Sequence, residues 1–432
     1  MVRGIKNISG VSCHISCALQ IICHAIKPLR QALLDTAEKR SSAATSRHFL
    51  SELGLFFQEL EETGEALDPT SLYQHIEKIL PSIDQNELGD ASTVLYELLV
   101  LIRREGGDEW KVLLEKTVLG GETRQLLTGT KKEGAFLLKR TKIAKAKSMA
   151  CPFPLVGKFH SIEDALDLTV NPQVVNGYNW DRVSKEMYQE VKVELDDTLL
   201  RAEHTEEWNT TKIIQLEKIP KHFIIHLERF TYNEGVKALS NPKIQIPPIL
   251  EKSIYSTTIA FEGKLKLRGG ILHVSDDGAI EEEGHYVTVL RNEGKDQSGN
   301  STWYLLDDGT CSPPLSEERI LDLLGGATDE KGRFCCGTLL AYSSEEEDPE
   351  IVPILSEIVR KAGERSSVKG ALSLVNDPES VVGKRLRVRW AKGKYYTGVV
   401  DSYDESIGKH RIKYDDGDVR GYILERKTVE WI

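Results

Sequence analysis

Long hydrophobic stretches are missing from this chain. No run of eighteen or more apolar residues occurs, so neither a membrane-spanning helix nor a membrane partner is expected. Residues 1–10, "MVRGIKNISG", contain no apolar h-region, and the apolar run behind them is broken by Cys13, His14 and His24, so no secretory signal is expected. Cysteine is sparse. There are seven, an odd number, irregularly spaced and without a C-x-x-C pair. That excludes a disulfide framework and fits reduced thiols in cytoplasm or nucleus. Basic charge is short too: 56 Lys and Arg face 67 Asp and Glu, a formal charge of −11. A nucleic acid is therefore not expected as a partner, except weakly. No internal repeat occurs, and the nearest approach to a basic localisation cluster is "LLKRTKIAKAK" at 137–147.

What remains is an ordinary globular composition in a chain of 432 residues, long enough for two or three domains. The first hundred or so residues carry helical periodicity. From Ile15 to Ile26 the apolar residues are too dense for a surface helix, Pro28 should end or kink it, and Leu29–Arg40, 49–60, 71–80 and 90–104 follow as helices. Strand-like runs come later, at 221–230, 264–274, 284–292 and 301–309. Helices early and strands late make residues 1–343 an α+β unit. Residues 344–380 open on an acidic run, contain the helix-like "EIVPILSEIVRKA", and read as a linker. Residues 381–432 give four or five short strands with turn signals between them, the pattern of a small all-β barrel.

The stretch "GVSCHISCALQIICHAI" (10–26) places a thiol at the head of a buried helix, after a residue able to cap it. A free cysteine is among the most buried residue types, so a plain core thiol is one reading of Cys13. The other is a nucleophile, since helix dipoles favour a thiolate in the first turn. A thiol nucleophile needs a base and a group to orient that base. In "EEEGHYVTVLRN", His285 heads a strand, and "STWYLLDDG" ends the next one with Asp307 and Asp308. Antiparallel pairing of the two would set a carboxylate beside the imidazole.

These segments resemble the ubiquitin-specific proteases. "GIKNISGVSCHISCALQ" is similar to that family's Cys box, "IPKHFIIHLERF" to its L-P-x-x-L-x-I-x-L-x-R-F strand, and "GGILHVSDDGAIEEEGHYVTVLRN" with "STWYLLDDG" to its His box, followed by the later Ala341-Tyr342. The four signals run in the family's order over residues 1 to about 343. The resemblance implies a papain-like fold and a deubiquitinase that hydrolyses the (iso)peptide bond at the C-terminus of ubiquitin. It implies Cys13 as nucleophile, His285 as base and later acid, and Asp307 as the orienting carboxylate, with Asp308 the alternative. It also sets Gln20, Asp90, Gly284 and Tyr286 at substrate-facing positions. Three positions depart from the family. Asn7, the counterpart of its oxyanion donor, lies six residues before Cys13 instead of five, so that Ile8 stands in its place; His14 follows the nucleophile where an aromatic is usual; and Thr93 replaces the Glu of D-A-x-E-F. The family's zinc-stapled finger is implied only in reduced form, over 120–215, where a single cysteine, Cys151, occurs. No metal or other cofactor is expected.

"GKRLRVRWAKGKYYTGVVDSYDESIGKHRIKYDDGDVRGYI" resembles a Tudor domain. Carried over, that implies a cage of Trp390, Tyr396 and Tyr414 with Asp416 at its rim, binding a methylated Lys or Arg peptide or a histone tail through cation–π attraction. The same aromatics would equally serve as the core of a small barrel. Ubiquitin or a ubiquitinated protein is the expected main partner. The competing reading of the whole is a catalytically weak ubiquitin-binding adaptor whose working part is the Tudor-like segment.

Overall fold

The computed structural model of the chain describes residues 3–41, 48–62, 64–87, 89–148, 150–170, 173–194, 206–233, 236–239, 242–251, 264–275, 284–295, 301–345, 349–367, 381–389, 395–404, 409–422, 424 and 429–431. The helical layer comes first: α1 (Cys13–Ala25), α2 (Lys27–Ser41), α3 (Phe49–Glu61), α4 (Thr70–Ile79), α5 (Ala91–Gly106) and α6 (Asp108–Thr117). Pro28 falls in the first turn of α2, where its missing N–H removes no helix bond. Every residue of α1 except His24 is buried. With no polar face, this helix is stable only between two apolar layers.

Next come β1 (Glu122–Glu133), β2 (Phe136–Ser148), β3 (Phe153–Leu155), α7 (Ile162–Val170), β4 (Gln173–Val174), β5 (Gln189–Glu194) and β6 (Asn209–Lys218). Sequence patterning predicts no clear strands between 120 and 215. Instead a five-stranded sheet in the order β4-β6-β1-β2-β5 stands there, with 13 residues in β2 alone. Strict alternation is missing because adjacent leucines (126–127 and 137–138) feed both faces. One face is organised by Trp180, fully buried, whose Nε1 donates to Thr210 Oγ1 (2.9 Å). Beside it the Arg140 guanidinium lies 4.7 Å from the Tyr188 ring centroid and 4.5 Å from that of Trp208. Its N–H groups reach Glu190 at 2.6 Å and Asp181 and the Trp180 carbonyl at 3.2 Å.

The remainder of the α+β unit holds β7 (His222–Leu227), β8 (Phe230–Asn233), β9 (Val236–Leu239), β10 (Ile249–Glu251), β11 (Lys264–Ser275), β12 (His285–Lys295), β13 (Ser301–Asp307), β14 (Thr310–Cys311), β15 (Leu315–Ser316), α8 (Glu317–Gly326), β16 (Ala327–Thr328) and β17 (Phe334–Ser344). The central sheet runs β14-β13-β12-β11-β17-β7-β3. One core joins the helices to one face of this sheet through Ile224, Ile271, Leu290 and Leu339. The other face is packed by α7 and α8 through Ile162, Leu166, Ile320 and Leu324. Cys335 and Cys336 lie buried in β17 as core residues.

Helix α9 (Ile351–Ser367) falls inside the segment expected to be a linker, yet it packs on α2 and α6. Ile351 and Ile358 join the helical core, Lys361 pairs with Glu109, and Lys116 with Glu350. Its apolar stripe explains the docking: a free linker helix would leave those side chains in water.

The C-terminal segment forms β18 (Arg385–Arg389), β19 (Tyr395–Asp404), β20 (Lys409–Tyr414), β21 (Val419–Tyr422) and β22 (Val429–Trp431), an antiparallel sheet in the order β21-β20-β19-β18-β22. It has its own small core of Leu386, Val388, Val400, Ile412 and Tyr414. Among the described residues β21 and β22 do not pair, so the sheet is open where a closed barrel was expected.

Arg229, the arginine of the R-F strand, is fully buried. Its guanidinium donates to the carbonyls of Gly337 (2.9 Å), Leu324 (2.6 Å) and Gly325 (3.1 Å), thereby satisfying the C-terminal turn of α8. Arg229→Met should lower folding stability by roughly 3 kcal/mol, because it strands buried carbonyls. Urea unfolding of the two proteins measures the difference.

Candidate active site

Cys13 is the first residue of α1 and is buried at its N-terminus. Ser12 holds the N-cap position but gives no side-chain cap, because its hydroxyl is otherwise engaged: it donates to Asn7 Oδ1 (2.9 Å), which also accepts from the Ser12 N–H (3.1 Å). The extra residue between Asn7 and Cys13 is absorbed in a bend at 8–10. Gly10 takes φ +81°, a left-handed conformation that suits glycine, and Ile8 points outward, 40% exposed. Asn7 thus turns back to the helix N-terminus, and its Nδ2 donates to Asp308 Oδ2 (3.1 Å).

The sheet brings up the other partners. Val274 of β11 faces His285 at the head of β12, and β12 pairs antiparallel with β13, which ends in Asp307. His285 Nε2 lies 2.7 Å from Asp307 Oδ1 and 3.8 Å from Asp308 Oδ2. Asp307 therefore holds the imidazole, and Asp308 is its more distant neighbour, held at φ +50°. With Nε2 so engaged, the other ring nitrogen is left for Cys13.

The electrostatics are those of an ion pair. Burial pushes the Cys13 thiol up, but hydrogen bonds with His14, His285 and the backbone of Tyr286, together with the charge on His285, outweigh it and bring the pKa to about 6. The hydrogen bond to Asp307 and then that to Cys13 raise His285 to about 10 against burial. Asp307 is held below the usual carboxylate range by its hydrogen bond with His285 and, against burial, by the charges of His285 and Arg333. Burial pushes Asp308 up, opposed by the Asn7 hydrogen bond. His14 sits in the wall of the site, its ring against Gly89 and hydrogen-bonded to the Val11 carbonyl (2.9 Å). His285, Asp307 and Asp308 place three possible metal-ligand atoms within 4.8 Å of one another. The Arg333 guanidinium, 3.6 Å from Asp307 Oδ2, opposes a cation there.

The other candidate residues have these surroundings. Gln20 is buried and its Nε2 donates to the Arg3 carbonyl (3.0 Å), which anchors the N-terminal segment to α1. Asp90 is the N-cap of α5. Its Oδ1 accepts from the Thr93 N–H (2.8 Å) and from the hydroxyls of Ser92 and Thr93, which makes Thr93 part of the cap. Gly284 lies at the head of β12, but a Cβ there would meet His273 Nε2 at 1.6 Å, so the glycine is needed by that ring before any substrate arrives. Tyr286, next to His285, stacks edge-on against His273 (5.5 Å). In the C-terminal sheet, Tyr414 is buried with its hydroxyl donating to Tyr422 (3.1 Å), so it serves the core and does not present a ring face. Tyr396 is exposed opposite Val388, Asp416 lies in an exposed turn, and Trp390 lies outside the described residues. Arg333 lies in "DEKGRF", where no motif marks it.

Alkylation of Cys13 by iodoacetamide, followed residue by residue by mass spectrometry, should be half-maximal near pH 6, because the thiolate is present above its pKa. In His285→Ala the midpoint should move upward, since burial then acts against fewer stabilising partners.

The comparisons with known proteins bear on the family and the fold. The family model described as "Ubiquitin carboxyl-terminal hydrolase" matches residues 3–330. Ubiquitin carboxyl-terminal hydrolase 9 of Saccharomyces cerevisiae is 32% identical over 140 residues, 32% of this chain and 16% of that protein. Sister chromatid cohesion protein PDS5 homolog C of Arabidopsis thaliana is 48% identical over 54 residues, 12% of this chain and 6% of that protein. The matched stretches thus span a small part of either relative. The solved structure of the SAGA Ubp8/Sgf11/Sus1/Sgf73 DUB module bound to ubiquitin aldehyde shares the fold, with a TM-score of 0.54 at 16% identity, over 80% of this chain and 70% of that one. A family model covering most of the chain, with its cysteine, histidine and aspartate gathered at one helix terminus, places this protein in the ubiquitin carboxyl-terminal hydrolase family.

Proposed function

We propose that the chain is a deubiquitinating cysteine protease, and the Cys13–His285–Asp307 arrangement is the observation that carries this reading. The Cys13 thiolate would attack the carbonyl carbon at the C-terminus of ubiquitin, forming a C–S bond and a tetrahedral oxyanion. The oxyanion would accept from the Cys13 backbone N–H and from Asn7, whose Nδ2 has a second hydrogen beyond the one given to Asp308. His285, carrying the proton, delivers it to the departing amine as the C–N bond breaks. It then takes a proton from water, which hydrolyses the thioester and restores Cys13. Asp307 stabilises the imidazolium through both half-reactions and fixes which ring nitrogen faces the sulfur.

The C-terminal sheet, in this reading, is a Tudor-like module that brings a methylated or chromatin partner to the site. Its separate core and the exposed ring of Tyr396 support that role. With Tyr414 in the core, the cage would rest on Tyr396, Trp390 and the half-buried Tyr422. With a chromatin partner the site of action would be the nucleus; with another methylated partner it would be the cytoplasm as well.

Full-length protein should release fluorophore from a ubiquitin C-terminal amide, and Cys13→Ala should abolish release. Well-folded wild-type protein that releases none, yet binds ubiquitin, would instead be the adaptor. For the module, the full chain should bind methylated Lys or Arg peptides more tightly than unmethylated ones, and Tyr396→Ala should remove the difference.

A further inference from the structure

We infer that Arg333 is a positioning residue of the Cys13 centre: by holding Oδ2 of Asp307, it keeps Oδ1 of the same carboxylate on His285. The inference rests on the catalytic reading of Cys13 and His285. A carboxylate rotates about its Cα–Cβ and Cβ–Cγ bonds, and Asp307 is not deeply buried. One hydrogen bond to an imidazole does not define its plane. A second anchor does. Arg333 supplies it from an unexpected place. β17 is three strands away from β13 in the sheet, yet the guanidinium of the residue just before β17 arrives 3.6 Å from Asp307 Oδ2.

The loop is built to aim that side chain. Asp329 Oδ1 accepts the backbone N–H groups of Lys331 and Arg333 (both 2.9 Å), and the Asp329 N–H donates to the Arg333 carbonyl (2.8 Å). Asp329 Oδ2 then accepts from Arg333 Nε (2.8 Å), leaving the far end of the fork for Asp307. Two carboxylates thus share one guanidinium, one fixing its direction and the other receiving it. Arg333 touches neither the sulfur nor the site of attack. It acts through Asp307.

The test is a mutant cycle on turnover of the fluorogenic ubiquitin amide. Arg333→Gln should lower kcat by on the order of tenfold with KM little changed, and should cost nothing further in an Asp307→Asn background. Arg333→Lys, which keeps the charge but loses the fork, should recover part of the loss. Equal losses in both backgrounds, or full activity in Arg333→Gln, would overturn the inference. Should Arg333→Gln prove poorly folded by thermal unfolding, Asp329→Asn frees the guanidinium without removing it. It must then show the same dependence on Asp307. Iodoacetamide alkylation of Cys13 provides the same cycle without ubiquitin. A wild-type protein that alkylates readily at neutral pH yet turns over no ubiquitin amide sinks the proposed function, and the alkylation cycle still decides on Arg333.

Discussion

Because α1 has no polar face, it settles between α2 and α5 on one side and β11, β12 and β17 on the other, and the rest of the active centre is arranged around that wedge. Its C-terminal end is tied to the sheet by His222, whose Nδ1 meets the Ala25 carbonyl (3.2 Å). Its N-terminal end is tied to the N-terminal segment through Asn7 and Ser12. A helix gripped at both ends and along its length cannot slide, so the thiol at its head keeps a fixed height against β12. The imidazole on β12 is fixed in turn by sheet register, which a one-residue slip would invert.

Much of this was legible in the residues. The buried character of α1, the strand positions of His285 and Asp307 and the four helices that follow α1 all carry strong periodicity, and periodic signals survive tertiary packing. The thiol and its partners also lie within segments whose residues match a family in order. Other parts carried weak signals for physical reasons. The strands β1, β2, β5 and β6 have one face organised by a single aromatic cluster, so neither strict alternation nor a continuous apolar run marks them. Gln20 and Gly284 sit within matching motifs, yet their neighbours Arg3 and His273 define what they do. Such roles depend on which side chains the fold brings together, which motif spacing does not record. Arg333 belongs to the same class, a side chain whose partner is supplied by the fold alone.

In the sheet of β1, β2, β4, β5 and β6, side chains add to the backbone ladders. Trp180 fills the space over Gly129, where a Cβ would meet its ring at 2.1 Å, and Arg140 lies beside the rings of Tyr188 and Trp208 with carboxylates at its edge. A cation that is stacked and hydrogen-bonded in this way loses little on desolvation while it joins β2 to β5 and to the segment around residue 181.

The docking of α9 has a geometric consequence for whatever the C-terminal sheet binds. The helix fastens the chain to the lobe built by α2 and α6 as far as the Lys361–Glu109 pair. The 17 residues of α9 lie between β17 and β18 in sequence but belong to that lobe, so they do not act as spacer for the C-terminal sheet. Loosening the contacts of α9 would return them to the connection without altering either sheet.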